Sequence, residues 1–144
     1  MNTTDTFDLS RFVTTQEGVY ETALREIRDG RKQGHWMWFI FPQIAGLGRT
    51  DISRTYAIKS REEAVAYLEH PILGPRLREI TEALLAHDDK SATEILGTPD
   101  DLKLRSSMTL FKSVSTANDI FLSVLDRYYG GEEDPQTFGI LSEI

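Results

Sequence analysis

Two short stretches of this chain concentrate side chains that can do chemistry. The first is Gly30-Arg-Lys-Gln-Gly-His-Trp-Met-Trp-Phe-Ile-Phe-Pro-Gln43. It places both tryptophans, one of three histidines and a basic pair within fourteen residues. The second is Lys103-Leu-Arg-Ser-Ser107, in which Lys103 and Ser107 are four residues apart and share one helix face. An indole face stacks on a planar ring or a cation. An ammonium group neutralises a phosphate or carboxylate, and hydroxyls and amides supply directed hydrogen bonds. A histidine titrates near neutral pH and serves as general acid or base. The pattern predicts a pocket for a small anionic aromatic molecule such as a nucleotide. Its ligand-binding residues are Arg31, Lys32, Trp36, Trp38, Gln43, Lys103, Ser106 and Ser107, and its candidate catalytic residue is His35.

Each of these residues also has a structural reading. Tryptophan is a common core residue, and a buried indole N–H needs a partner, for which Gln43 is the candidate. Adjacent serines inside a helix serve close packing or bond back to the preceding turn. If the aromatic block is simply core, the chain is a protein-interaction module without enzymatic chemistry. The sequence leaves open whether the protein is an enzyme.

Composition narrows the choices. The 144 residues include no cysteine, so disulfides, thiol nucleophiles and cysteine-ligated metals are excluded. The three histidines, His35, His70 and His87, have no metal-ligand spacing, and the sequence implies no metal and no cofactor. Neither serine of the second stretch sits in a nucleophile-elbow motif. Gly46-Leu-Gly48-Arg49 carries no dinucleotide or phosphate-loop fingerprint and reads as a turn. The net charge is −7, unevenly spread. Residues 25–61 hold eight basic and three acidic residues, a net of +5, and the remainder holds eight and twenty, a net of −12. An acidic body disfavours an extended nucleic-acid surface, whereas the basic segment suits a small anion. The N-terminus lacks a signal-peptide pattern, and the longest apolar run, Trp36 to Phe41, is too short to span a bilayer. A cytoplasmic protein without membrane contact is expected.

The elements that must position these residues read as helices. Thr14-Thr-Gln-Glu17 has the form of a capping box and predicts a helix to Asp29, with Gly30 as its C-cap. Ser60-Arg-Glu-Glu63 and Ser91-Ala-Thr-Glu94 are further boxes, opening helices to Glu69 and to Gly97. Between them Pro71 opens a helix carrying Leu73, Leu77, Ile80, Leu84 and Leu85, whose first turn is weakened by Gly74 and Pro75, which allows a start nearer Pro75. Thr98-Pro-Asp-Asp101 predicts an N-cap with proline at N1 and a helix to Ser113. A helix from about Thr116 to Tyr129 stops at Gly130-Gly131, and Asp134-Pro135 opens a last one. The expected fold is all-α: one bundle of about seven helices over residues 8–144 after a flexible segment at residues 1–7. It allows one short strand or irregular segment within residues 35–58.

Read in order, several blocks resemble a known bacterial family. They are Gly30-Arg-Lys, His35-Trp-Met-Trp-Phe-Ile-Phe-Pro-Gln43, Gly46-Leu-Gly48, the segment from Glu63 to Gly74 followed by Arg76-Leu77, and Asp101-Leu-Lys-Leu-Arg-Ser-Ser-Met-Thr-Leu-Phe111. This order resembles domain of unknown function family 1810, some of whose members carry the label calpastatin. The resemblance spans about Asp8 to Leu141 and implies a single domain; it implies no activity. The same order of segments is also faintly similar to the YbiA-type domains, N-glycosidases of riboside bonds. That likeness assigns no catalytic position; it implies an ADP-ribose derivative, beside a nucleotide, as a ligand to test.

Overall fold

Helix caps divide the chain into short rods. The computed structural model describes residues 5–116 and 120–143, and these form ten helices. They are α1 (Ser10–Gln16), α2 (Tyr20–Asp29), α3 (Met37–Ile40), α4 (Asp51–Thr55), α5 (Arg61–Glu69), α6 (Leu73–Leu85), α7 (Ala92–Leu96), α8 (Asp100–Val114), α9 (Ile120–Tyr129) and α10 (Pro135–Ser142). The fold is all-α. The only extended pairing among the described residues is a parallel bridge between Ile44 and Ile58, inside the segment where a strand was allowed.

Ten helices replace the expected seven for two reasons. Residues 35–58 contribute α3 and α4, and the helix expected over residues 14–29 is divided. Thr14 lies inside α1 and caps nothing. The Gln16 side chain turns inward at the end of α1, where its amide donates to the Phe39 carbonyl at 2.7 Å and to the Tyr67 hydroxyl at 3.1 Å. Gly18 then reverses the chain at φ +77, a left-handed conformation open to glycine. This long-range bonding of Gln16 overrides the local capping pattern.

Other boundaries hold or move slightly. Ser60 and Ser91 cap α5 and α7 through the N–H groups of Glu63 and Glu94. Gly30, at φ +80, closes α2 as a Schellman motif: the N–H groups of Gly30 and Arg31 bond the carbonyls of Ile27 and Glu26. α6 begins at Leu73, ahead of Pro75, which occupies its first turn and loses no helical bond there. Thr98 is not the N-cap of α8; Pro99 is, and the Thr98 hydroxyl donates to Asp101. The predicted start of α9 falls on residues 117–119, outside the described residues, as do residues 1–4 of the N-terminal segment. Asp5 accepts the N–H groups of Leu9 and Ser10.

α8 is the central rod, packed against α5, α7, α9 and α10, while α6 packs on α2, α5 and α9. Through the middle runs a chain of rings: Tyr56, Phe12, Tyr67, Phe111 and Phe121, with successive centroids 5.2 to 5.9 Å apart. At one edge Arg11 gathers the connections. Its guanidinium donates to the carbonyls of Phe7, Asp8, Thr55 and Ala57 and to the Glu63 carboxylate at 2.7 Å. Glu63 also accepts the Lys59 N–H, so one nearly buried ion pair pins the 55–60 connection to α1 and α5. Breaking a buried pair leaves an uncompensated charge. Glu63→Ala is therefore expected to lower stability by about 3–5 kcal/mol in urea denaturation. A loss below about 1 kcal/mol would show that water replaces the carboxylate.

Candidate functional site

The site begins where α2 ends. After the Schellman turn the chain is held by Glu26, whose Oε1 accepts the Gln33 and Gly34 N–H groups at 2.8 and 2.9 Å and the Trp36 indole N–H at 2.9 Å. Burial opposes ionisation of Glu26. The backbone donors, the indole and the nearby Lys32 charge outweigh it and hold the carboxyl below its usual range. Trp36 is thereby drawn into the core, only 2% exposed, with its ring 6.2 Å from that of Phe41. It is not a ligand platform, and its indole partner is Glu26 rather than Gln43. The physical reason is the carboxylate on α2, which satisfies the indole N–H while the ring packs into the core.

Lys32 is nearly buried as well. Its N–H donates to the Ile95 carbonyl, its ammonium donates to the Gly34 carbonyl at 2.5 Å, and Nζ lies 2.7 Å from Asp100. Asp100 opens α8, and its other oxygen lies 3.2 Å from the ammonium of Lys103, one turn along. One carboxylate thus bridges two lysines. Partial burial again opposes the charge of Asp100, but bonds and charges from Lys32 and Lys103 prevail and hold its carboxyl below the usual range. The Lys103 ammonium also sits 4.5 Å from the Trp38 ring centroid, a cation–π arrangement.

Trp38, Gln43 and Lys103 border two adjoining spaces. One is a small crevice of about 10 Å³ beside Phe41 and Tyr56, too small for a ligand. The other is an open cleft of about 270 Å³, lined further by Leu47, Gly48, Ser53, Leu102, Arg105, Ser106, Asp134 and Gln136. The structure therefore brings Lys103 to Trp38 and Gln43 and sets Lys32 behind it. Among the described residues the Gln43 amide has no protein partner, so its donors and acceptor are available to the cleft.

The remaining expected residues are placed differently. Arg31 and His35 are exposed and line neither space. Ser106 borders the cleft, but its hydroxyl serves the fold: it donates to Asp134, which also accepts the N–H and hydroxyl of Thr137 as the N-cap of α10. Ser107 is fully buried, and its Oγ has no hydrogen-bond partner among the described residues. Arg105 is tied to the carbonyls of Glu132 and Glu133.

Size alone points elsewhere. A larger space, about 650 Å³, lies between α1 and the α5–α6 junction and is lined by Phe7, Leu9, Val13, Ala66 and Ile72. Its polar groups are largely committed. Both Asp5 oxygens hold backbone N–H groups, and His70 Nδ1 accepts the N–H groups of Ile72 and Leu73. The smaller Trp38–Lys103 cleft is where charge, an aromatic face and a free amide converge. No group of histidines and acids among the described residues is arranged to hold a metal ion, and no helix there is long and apolar enough to cross a membrane.

Comparison with known proteins agrees with the fold. The model of a family described as "Protein of unknown function (DUF1810)" matches residues 6–141. Among solved structures, the chain is similar to the conserved hypothetical protein Rv1873 from Mycobacterium tuberculosis, with a TM-score of 0.94 and 52% sequence identity. The alignment covers 96% of this chain and 99% of that one. No curated protein matches.

Two measurements check the site as built. Trp36→Ala removes a buried ring and is expected to cost about 3–5 kcal/mol in chemical denaturation. Trp38→Ala, half-buried at the cleft, is expected to cost much less; equal losses would contradict the division between core and cleft. Glu26 and Asp100 have folded-state pKa values below their unfolded ones. Their contribution is thus fully present above the unfolded range, about pH 4, and is lost as pH falls through the lower folded values. Stability is expected to drop steadily below about pH 4. The double variant Glu26→Gln, Asp100→Asn should lose stability at neutral pH and show a flatter acid limb. An unchanged limb would mean that these carboxylates are not held in their charged form.

Proposed function

Because the chain belongs to the DUF1810 family of proteins of unknown function, membership brings no activity with it, and we propose from the cleft itself that the protein binds a small anionic molecule between Trp38 and the start of α8. A nucleotide or ADP-ribose derivative is the favoured class. The observation that carries the reading is the Lys103 ammonium at the cleft. It is a quarter exposed, held on one side by Asp100 and on another by the Trp38 ring, and keeps donor capacity toward the cleft. A lysine side chain loses much rotamer freedom when fixed. Holding it beside an aromatic face and an unpartnered amide gives an incoming anion a pre-oriented cation, an edge to pack on and a directed hydrogen bond.

The geometry refines the expected residue set. Trp38, Gln43 and Lys103 are the contacting groups, Lys32 acts from behind through Asp100, and Trp36 and Ser107 belong to the interior. Chemistry at the site would draw on His35 only if the loop carrying it moved, since it lines neither space. The reading as an interaction module draws support from the burial of Trp36 and from two exposed apolar side chains, Leu102 on the cleft rim and Phe138 on α10. An apolar partner binding there would be insensitive to the charge of Lys103.

Isothermal titration with adenosine nucleotides and ADP-ribose tests the proposal. Lys103→Ala is expected to leave the circular-dichroism spectrum and melting transition nearly unchanged and to weaken binding at least about tenfold, as loss of a charge-assisted hydrogen bond implies. Equal binding by the variant would overturn the assignment.

A further inference from the structure

The proposed function rests on Lys103 meeting an anion, and the charges around it limit that anion. Lys103 and Arg105 line the cleft, with Asp134 beside them. Behind Lys103, Asp100 is shared with Lys32. These five groups carry a net charge of +1. Glu132, largely exposed and 3.5 Å from Arg105, takes the balance further toward zero. Neither cation is free-standing. Arg105 donates to two carbonyls, and the Lys103 ammonium shares its charge with Asp100 and the Trp38 face.

We infer that the cleft is matched to a singly charged oxyanion, a phosphodiester-type or carboxylate group, and discriminates against a doubly charged phosphate monoester, with Asp100 as the residue that sets this limit. A second negative charge on the same phosphate would approach Asp134 and Asp100, and the other cation lining the cleft, Arg105, is already bonded to the Glu132 and Glu133 carbonyls. Asp100 acts at a distance. It does not line the cleft, and it reduces the field that Lys32 and Lys103 together would present. If Asp100 served only to pin Lys32 and Lys103 in place, its replacement would weaken all anions alike.

A matched series separates these cases: adenosine 5′-monophosphate is a dianion at pH 8, whereas its phosphate methyl ester and adenosine 5′-carboxylate keep the base and ribose ring and carry a single charge. At pH 8 the wild-type protein is expected to bind the methyl ester about fivefold more tightly than the monophosphate, the effect of one unit charge at about 4 Å in a watery dielectric. The two should converge at pH 5, where the monoester takes up a proton, its second pKa being about 6. The carboxylate arm tells which singly charged group is preferred, and tighter binding than the monophosphate by either monoanion supports the inference. Asp100→Asn is expected to remove or reverse the preference for the methyl ester. Wild-type protein alone decides the main point if that variant fails to fold. Monophosphate binding as tight as the ester at pH 8, with dependence on Lys103 retained, would overturn the charge limit and leave the proposed function standing. Binding of none of the three would overturn both.

Discussion

Two lysine ammonium groups held inside a protein surface need a counter-charge, and here a single carboxylate supplies it. Lys32 comes from the turn after α2 and is almost fully covered; Lys103 comes from the first turn of α8. Asp100 bonds both, and by doing so joins the aromatic segment to the central helix. Desolvating three charges together is costly unless each is paired, so this arrangement fixes geometry more than it adds stability. The position of Trp38 over Lys103, and with it the wall of the cleft, follows from that bridge.

A second carboxylate divides the labour of the tryptophans. Glu26 accepts two backbone N–H groups and the Trp36 indole on one oxygen, which shapes the turn and carries Trp36 inward. Two residues further on, Trp38 stands half-buried at the cleft. The start of the short helix α3 sets this separation: Trp36 is its N-cap, with non-helical backbone, and turns into the core, whereas Trp38 lies within the helix and meets Lys103 of α8. The same stretch of sequence therefore supplies both packing and a candidate binding surface, and the two readings of the aromatic block each describe one of its tryptophans.

Much of the fold was legible because the caps are local chemistry. Ser60, Ser91 and Gly30 do in the structure what their types and spacing imply. The misread boundary at Thr14 came from Gln16, whose partners Phe39 and Tyr67 are distant in sequence. The sequence reading set both stretches in one pocket; the structure brings Lys103 to Trp38 and Gln43 and leaves His35 outside the cleft. Asp100, Asp134 and Glu26 were passed over, since an acid at a helix start or on an exposed-looking face has the same local signature whether or not it bonds a distant lysine or indole. The one available hint was the three-residue spacing of Asp100 and Lys103. The burial of Ser107 without a partner among the described residues has no explanation in the local sequence.

Membership in DUF1810 and the close similarity to the mycobacterial structure fix the architecture and leave the chemistry to be read from side chains. On that reading Trp38 belongs to the ligand and Trp36 to the core. Only two indole N–H resonances exist in the protein, so a ¹⁵N-resolved NMR titration with ADP-ribose reports on both at once. The account predicts that the Trp38 indole signal moves with added ligand while the Trp36 signal, bonded to Glu26, stays in place. Movement of neither signal under conditions where the ligand binds, or movement of Trp36 alone, would contradict it.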